Sequence, residues 1–386
     1  MSQPRRLTPH LVLEALASLR LTVILLLLGM LLIFAGTWAQ LEKGIWTVLE
    51  DYFRCWIAHV DYLGPVYLPG GYIIGGLMLI NLLAAHYVRF KLSWRRSGII
   101  LIHLGLIMLL VGELITDQLA VEANMEIDEG QTVNFTVDNR ESELAIVDRS
   151  PQDRDAVVAI PEARLKPGAR LGHEYLPFTV EVERFYDNAS LFRGQPMGGQ
   201  SQPVVTQGDG VGLFAIEEAP TPGTGNGIDV PAAYVTLHQG EQTLGTWLVS
   251  PYLSRPQSVQ VGNSRYDLEL RFKREYKPYT LELLDFAHDR YTGTEVAKNF
   301  SSRVRLVDPE HGEDREVLIY MNHPLRYRGE TFYQSAFKNN DQTTILQVVR
   351  NPGWTVPYLA CLIGGLGMCI HFGLNLRGFL RKRSRA

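Results

Sequence analysis

Cysteine is scarce in this chain of 386 residues, with only Cys55, Cys361 and Cys369 present. No CxxC joins any two of them, which argues against thioredoxin-like exchange and against a zinc finger. Small packing residues are the simplest reading of the two in the last apolar run. GxxxxGK[ST] is absent, as is any GxGxxG following a strand pattern, so the chain does not read as an ATP-driven transporter by itself. From 118 to 353 there are 23 Lys and Arg against 34 Asp and Glu, although the whole chain is only −4. An acidic region of that size argues against nucleic acid as a partner.

What the chain has in quantity is hydrocarbon, and it is clustered. LRLTVILLLLGMLLIFAGTWAQ (19–40), GYIIGGLMLINLLAAHYV (71–88), GIILIHLGLIMLLVGELI (98–115) and GWTVPYLACLIGGLGMCIHFGL (353–374) are each long enough to cross a bilayer core of about 30 Å. Four transmembrane helices follow. The first outruns the apolar region of a cleavable signal and is expected to stay as an anchor.

Cations set the expected orientation. Arg5, Arg6 and Arg20 precede the first span, Arg89, Lys91, Arg95 and Arg96 lie between the second and third, and Arg377, Arg381, Lys382, Arg383 and Arg385 follow the fourth. These clusters fall on one side, so both termini are expected to be cytoplasmic, in the cell inner membrane. Trp38, Trp354 and Tyr358 would form an outer aromatic belt, and Tyr87, Phe90 and Trp94 an inner one.

The layout predicted from these runs is an N-terminal segment with the first span (1–40), an outer loop (41–70), a two-helix hairpin (71–117), a large extracytoplasmic domain (118–352), and a fourth span with a basic tail (353–386). The large domain reads as β-structure, a sandwich or meander. PFTVEVERFY (177–186) alternates apolar and polar residues, and AAYVTLHQGEQTLGTWLV (232–249) holds two such runs around Gln239, Gly240 and Glu241. YDLELRFKREY, YTLELLDFAHD and SSRVRLVDPEHGEDREVLIYM continue the pattern, the last with a hairpin turn near Pro309 to Gly312. Residues 194–231 are rich in Gly and Pro and read as a long loop that could separate two β-subdomains.

Three of the ten histidines lie in spans: His86, His103 and His371. At about 1.5 Å per residue, His103 is roughly 7 Å inside Gly98, His86 about 5 Å before Arg89 and His371 about 9 Å before Arg377, which places all three at similar depth. His86 and His371 read first as interfacial side chains whose polar edges reach the headgroups. His103 does not, because only apolar residues follow it as far as Glu113 and an unpaired buried polar group is costly. Gly105 and Gly112 share a helix stripe nearly opposite His103. That stripe is expected to pack on helices of the same chain while the imidazole faces a ligand or another subunit. A neutral imidazole in apolar surroundings suits haem iron, and porphyrin is itself an apolar disc. A proton relay is the competing use, but no carboxylate shares His103's depth.

The chain resembles the ResB/CcsB family, the membrane subunit of the System II cytochrome c synthase. SLRLTVILLLLGMLLIFAGT, the HLGLIMLLVG span and YTGTEVAKNFSSRVRLVD (291–308) carry the resemblance, and MNHPLRYRGETFYQSAF (321–337) carries it most specifically. In that block Asn322, Pro324, Leu325, Gly329, Phe332, Tyr333, Gln334, Ser335 and Phe337 fall on the family pattern. Taken by itself, the block reads as a hairpin around Arg328 and Gly329 that defines the fold. The resemblance implies a subunit that delivers haem b as cargo to apocytochrome c, working with a CcsA-like membrane protein that carries a tryptophan-rich WWD segment. No such segment occurs here, so the catalytic half is expected on another polypeptide, with this chain a non-catalytic or co-catalytic subunit in which no catalytic residue stands out. The family's histidine in the third span matches His103 as an axial haem ligand, with the partner supplying the other; His371 and His86, to which the family assigns nothing, are weaker candidates. Membrane lipids complete the expected partners. The alternative is a membrane-anchored scaffold or sensor whose outer domain binds a protein and whose helices bind no haem.

Overall fold

Residues 9–60, 64, 66–89, 93–151, 155–194, 202–221, 228–253, 255–290, 297–339 and 342–384 are described by this computed structural model. Arg5, Arg6, Phe90, Lys91 and Arg385, which entered the reading of orientation and belts, lie outside the described residues. The chain divides into a helical unit, which runs to Val121 and resumes at Arg350, and a β-rich unit between Glu122 and Val349.

The helical unit contains α1 (Pro9–Leu16), α2 (Leu19–Ala39), α3 (Ile45–Val48), a π-helical turn at Leu49–Phe53, the hairpin β1 (Ile57–Val60) and β2 (Val66–Pro69), α4 (Gly71–Arg89), α5 (Ser97–Leu119) and α6 (Val356–Arg383). Four of these, α2, α4, α5 with the turn before it, and α6, are long and apolar enough to cross a membrane. Leu27 and Phe34 on α2 and Leu362 and Phe372 on α6 lie exposed on their outer surfaces. Lipid tolerates such faces at that length, and water does not.

The break between α1 and α2 is held by a polar residue from a third helix. Ser18 caps α2 by accepting from the Leu21 N–H at 3.3 Å. Asn81 of α4 is buried; its amide donates to the Leu16 carbonyl at 2.6 Å and the Ser18 carbonyl at 3.1 Å, and its oxygen accepts from the Thr22 hydroxyl at 2.7 Å. The Leu16 carbonyl at the end of α1 needs a donor, and the buried amide of the neighbouring helix supplies it while also bonding the N-cap of α2.

α5 and α6 pack antiparallel along a glycine seam, as the stripe of small residues predicts. Gly98, Gly105 and Gly112 are the buried residues of α5. A Cβ on Gly98 would come within 2.6 Å of the His371 backbone nitrogen, and one on Gly105 within 2.8 Å of the Ala360 carbonyl oxygen. Polar contacts tie the far ends of these helices. Asp117 accepts an ion pair from Arg54 and a hydrogen bond from the Tyr72 hydroxyl at 3.0 Å, and Asn351 donates to Thr116 at 3.2 Å. The loop between α2 and α4 has its own small core of Val48, Tyr52, Ala58 and Val60. Cys55 sits there as a packing residue, its thiol 2.9 Å from the Asp51 carbonyl; burial and the Asp51 charge push its pKa up. All three cysteines are free.

The β-rich unit follows from period-two patterning. Its larger sheet runs in the order β15 (Glu313–Tyr320), β14 (Ala297–Asp308), β13 (Ser264–Arg290), β4 (Thr132–Asp148), β3 (Val121–Asp128), β18 (Thr343–Arg350), β17 (Glu330–Lys338), β16 (Leu325–Tyr327), with β5 (Ala156–Pro161) on β4 and β12 (Gln257–Val261) on β13. A four-stranded sheet has the order β11 (Gln242–Val249), β10 (Ala232–Gln239), β7 (Thr179–Tyr186), β6 (Arg170–Leu171). One core forms where the sheets face each other, from Leu144 and Ile146, Val180 and Val182, Val235 and Leu237, Leu268 and Leu270. A second gathers Met125 and Ile127, Leu281 and Leu283, Val304 and Leu306, Phe332 and Leu346. The long strand β13 contributes to both. Its register shifts between Phe272 and Arg274 and between Tyr276 and Leu281, bulges that let one strand serve two cores.

The Gly/Pro-rich segment is not a loop throughout. Leu213–Glu217 forms β9, which pairs with β8 (Ala189–Arg193), and the Tyr234 hydroxyl accepts the Ala215 N–H at 2.8 Å beneath it. Residues 195–201 and 222–227 of that segment lie outside the described residues. The division between cores falls along β13 instead, because strand length and bulges, not glycine content, decide where a sheet changes partner.

One charge in this unit gives a pH-dependent expectation. Asp267 accepts from Ser258 at 2.7 Å and Arg149 at 3.0 Å, with Arg265 at 3.5 Å. Burial pushes its carboxyl up, but these hydrogen bonds and charges outweigh it and hold the pKa below the ordinary value. A depressed carboxylate stabilises the fold fully above its unfolded pKa of about 3.9 and loses that contribution as pH falls through the folded value. Asp267→Asn should therefore lower the melting temperature at neutral pH, with a gap to the parent that closes as pH falls below about 4. A gap of the same size at every pH would contradict the assignment.

Candidate functional site

α4 and α5 run antiparallel across a short connection, so the end of one faces the start of the other. His86 and His103 meet there. Their ring centres are 5.1 Å apart with planes at 87°, an edge-to-face contact between two partly buried rings. The structure thus gives His86 a different place from the interfacial one its neighbours suggest: Tyr87 points outward at 83% exposure while the His86 ring turns to α5.

The His86 ring is fixed by its own helix. Its Nδ1 lies 2.9 Å from the Leu82 carbonyl oxygen. A carbonyl can only accept, so Nδ1 carries the hydrogen and, in the neutral ring, Nε2 carries the lone pair. His103 comes from the face of α5 opposite the glycine seam, which is why α6 packs on one side of the helix and the imidazole emerges on the other.

His371 is not brought to this pair. Its backbone lies over Gly98, on the seam side of α5, and its Nε2 is paired with the Asn375 amide at 3.0 Å. Gly98 and His103 are five residues apart, about 140° around the helix at 3.6 residues per turn. The imidazole of His371 and that of His103 therefore belong to different faces.

If a haem iron were bound here, one imidazole of this pair could hold it from this chain. Metal–imidazole bonds of about 2.0–2.1 Å put two rings on opposite faces of one iron with centres roughly 6 Å apart. At 5.1 Å, His86 and His103 are too close to hold a porphyrin between them. An iron held by one of these rings would therefore take any further protein ligand from outside the pair.

The sequence block 321–337 has gone into architecture. Asn322 and Gly329 take positive φ, 64° and 81°, at the two turns, the second of which joins β16 to β17. Leu325 and Phe332 are buried, Glu330 pairs with Lys277 at 2.6 Å, and Gln334 accepts from Ser302 at 2.5 Å and donates to Thr344 at 3.0 Å. Its polar groups point inward to partners, as a hairpin that organises a core requires. Of the block 291–308, residues 291–296 lie outside the described residues and the rest is β14. Next to the hairpin, Asp308, Glu310 and His311 are close enough to share a metal ion. Asp308, however, already receives Tyr327 at 2.7 Å and Arg328 at 3.2 Å, and a guanidinium there opposes a cation.

Asn81 is the functional-looking residue that reading along the sequence passes over, although an amide inside an apolar span was itself the signal. Its hydrogen bonds are structural. His86 is the more consequential case, because only the rotation of α4 against α5 reveals that it faces His103.

Comparison with known proteins agrees with this architecture. A model of the ResB-like family matches residues 89–207 and 251–345, more than half of the chain, including the end of α4, all of α5 and most of the β-rich unit. Protein NrfI of Wolinella succinogenes is 35% identical over 91 residues, which is 24% of this chain. That match spans about a tenth of NrfI, 10% of its length. By the extent of the family match, the chain belongs to the ResB-like family.

Proposed function

We propose that this protein works in cytochrome c biogenesis, holding haem through His103 while it is attached to apocytochrome c. The observation that carries the reading is the imidazole of His103, emerging from an aliphatic stretch of a helix long and apolar enough to cross a membrane, against a second histidine whose Nδ1 is held by its own helix. Family membership supports the same pathway. An apolar setting keeps imidazole neutral and able to bind iron, and iron binding offsets the cost of burying it.

A CcsA-like membrane protein would supply the second axial ligand, since His86 and His103 lie too close to bind opposite faces of one iron. With both termini cytoplasmic, the β-rich unit would stand on the periplasmic side, where haem meets the CxxCH cysteines. The contribution of this chain would be positioning. It would fix where the iron sits and shape the space in which the thiols approach, and holding reactants in place by itself accelerates a bimolecular step.

Cytochrome c formation in cells tests the reading. His103→Ala should abolish covalent c-type haem in a strain that depends on this protein, and millimolar imidazole in the medium should restore part of it by filling the vacated ligand position. Normal maturation by the variant, at parental protein levels, would refute the role of His103. A scaffold that binds no haem would show no rescue by imidazole.

A further inference from the structure

An imidazole that binds a metal through one nitrogen almost always gives its other N–H to an acceptor, which fixes the tautomer and strengthens the binding nitrogen. On α5, the side chains from Ile99 to Ile107 other than His103 itself are aliphatic or glycine and offer none. The ring that meets His103 from α4 does. Because His86 donates Nδ1–H to Leu82, its Nε2 is left as an acceptor in the neutral ring.

We infer that His86 is the hydrogen-bond acceptor that orients His103 and fixes its tautomer when His103 binds haem iron. This makes His86 a positioning residue, and the inference rests on the haem reading given above. In the structure the ring centres are 5.1 Å apart, but His86 Nε2 accepts no hydrogen bond from His103. Two imidazoles joined by an N–H···N bond of about 3 Å have centres roughly 5 Å apart, so the bond needs a turn of the His103 ring and no movement of the helices. Perpendicular planes are compatible with such a bond, because rotation about the line joining the two nitrogens leaves donor and lone pair aligned. The Leu82 bond matters equally: it holds the His86 ring still, so that a turn of His103 alone completes the pair.

The chemistry that follows is specific. An acceptor on the distal N–H makes His103 a stronger donor, which favours ferric over ferrous iron. Without it the haem should bind more weakly and its midpoint potential should rise. A residue that merely filled space between α4 and α5 would move neither quantity in that direction once a ring of similar shape replaced it.

The test uses the full-length protein in detergent, with ferric protoporphyrin (haemin) as the probe. Affinity is read from the Soret titration and the midpoint potential from a redox titration of the bound haem. His86→Phe keeps a ring and removes the acceptor; affinity should fall about 10- to 100-fold and the midpoint should rise. His86→Gln offers an amide oxygen and should bring both back toward the parent. A Phe variant with parental affinity and midpoint, or a Gln variant that restores neither, overturns the inference while leaving the haem reading standing. His103→Ala that binds haemin as the parent does overturns the haem reading and the inference with it.

Discussion

Gly105→Leu is expected to separate α5 from α6 and to lower the thermal stability of the protein in detergent by many degrees. A Cβ at this position would come within 2.8 Å of the Ala360 carbonyl oxygen and 3.2 Å of the Gly364 backbone. Ordinary overpacking costs about 1–3 kcal/mol because side chains can shift out of the way. Here the atoms met belong to a helix backbone, so the whole helix must move. Close approach along small residues is also what holds transmembrane helices together, since lipid offers no hydrophobic drive between them. The loss therefore includes contacts all along the seam, from Gly98 opposite Gly367 to Gly112 opposite Val356. Gly365→Leu is the control, because a Cβ there has no neighbour within 4 Å. Circular dichroism melts of the two variants should differ strongly. Equal melts would show that the seam is not packed as described.

Glu330→Ala should destabilise the β-rich unit by about 3–5 kcal/mol, the usual loss when one member of a buried ion pair is removed. Glu330 and Lys277 are 7% and 8% exposed and lie 2.6 Å apart. The second carboxylate oxygen of Glu330 accepts from the Tyr279 hydroxyl, whose pKa is pushed up by burial and by that carboxylate. Removing Glu330 leaves an ammonium in a low-dielectric core with only the more exposed Glu275 at 3.1 Å. A paired replacement, Lys277→Met with Glu330→Leu, should recover most of the loss, because it removes the buried charges together. Urea titration of the two variants reads this directly. If the single variant is as stable as the double, the pair does not carry the stated cost.

Much of this was legible in the residues, for identifiable reasons. Four runs of hydrocarbon near the thickness of a bilayer admit few structures other than spanning helices. Alternation in PFTVEVERFY and its relatives places Val180 and Val182 on one face because the side-chain period of a strand is two. The Gly105 and Gly112 stripe pointed, through helical periodicity, to packing on helices of the same chain; that the partner is α6 was not legible in it. What the residues hid depends on partners distant in sequence. β13 reads as two strands, with Pro278 between them, because bulges have no local signature. β9 is hidden among glycines and prolines, and is stabilised by Tyr234 from another strand. The His86–His103 contact was invisible because it depends on how α4 is rotated against α5, which involves the Asn81 anchor and the side-chain packing of both helices. Equal depth could be computed from the sequence; facing could not.

The central claim is that His103 ligates haem iron within the membrane-spanning helices, and the visible spectrum of the purified protein together with its membrane partner tests it most directly. A Soret band should accompany the parent complex, shift as a low-spin imidazole-ligated haem on reduction, and be missing from the His103→Ala complex at equal protein. Equal haem content and identical spectra in the two preparations would contradict the claim.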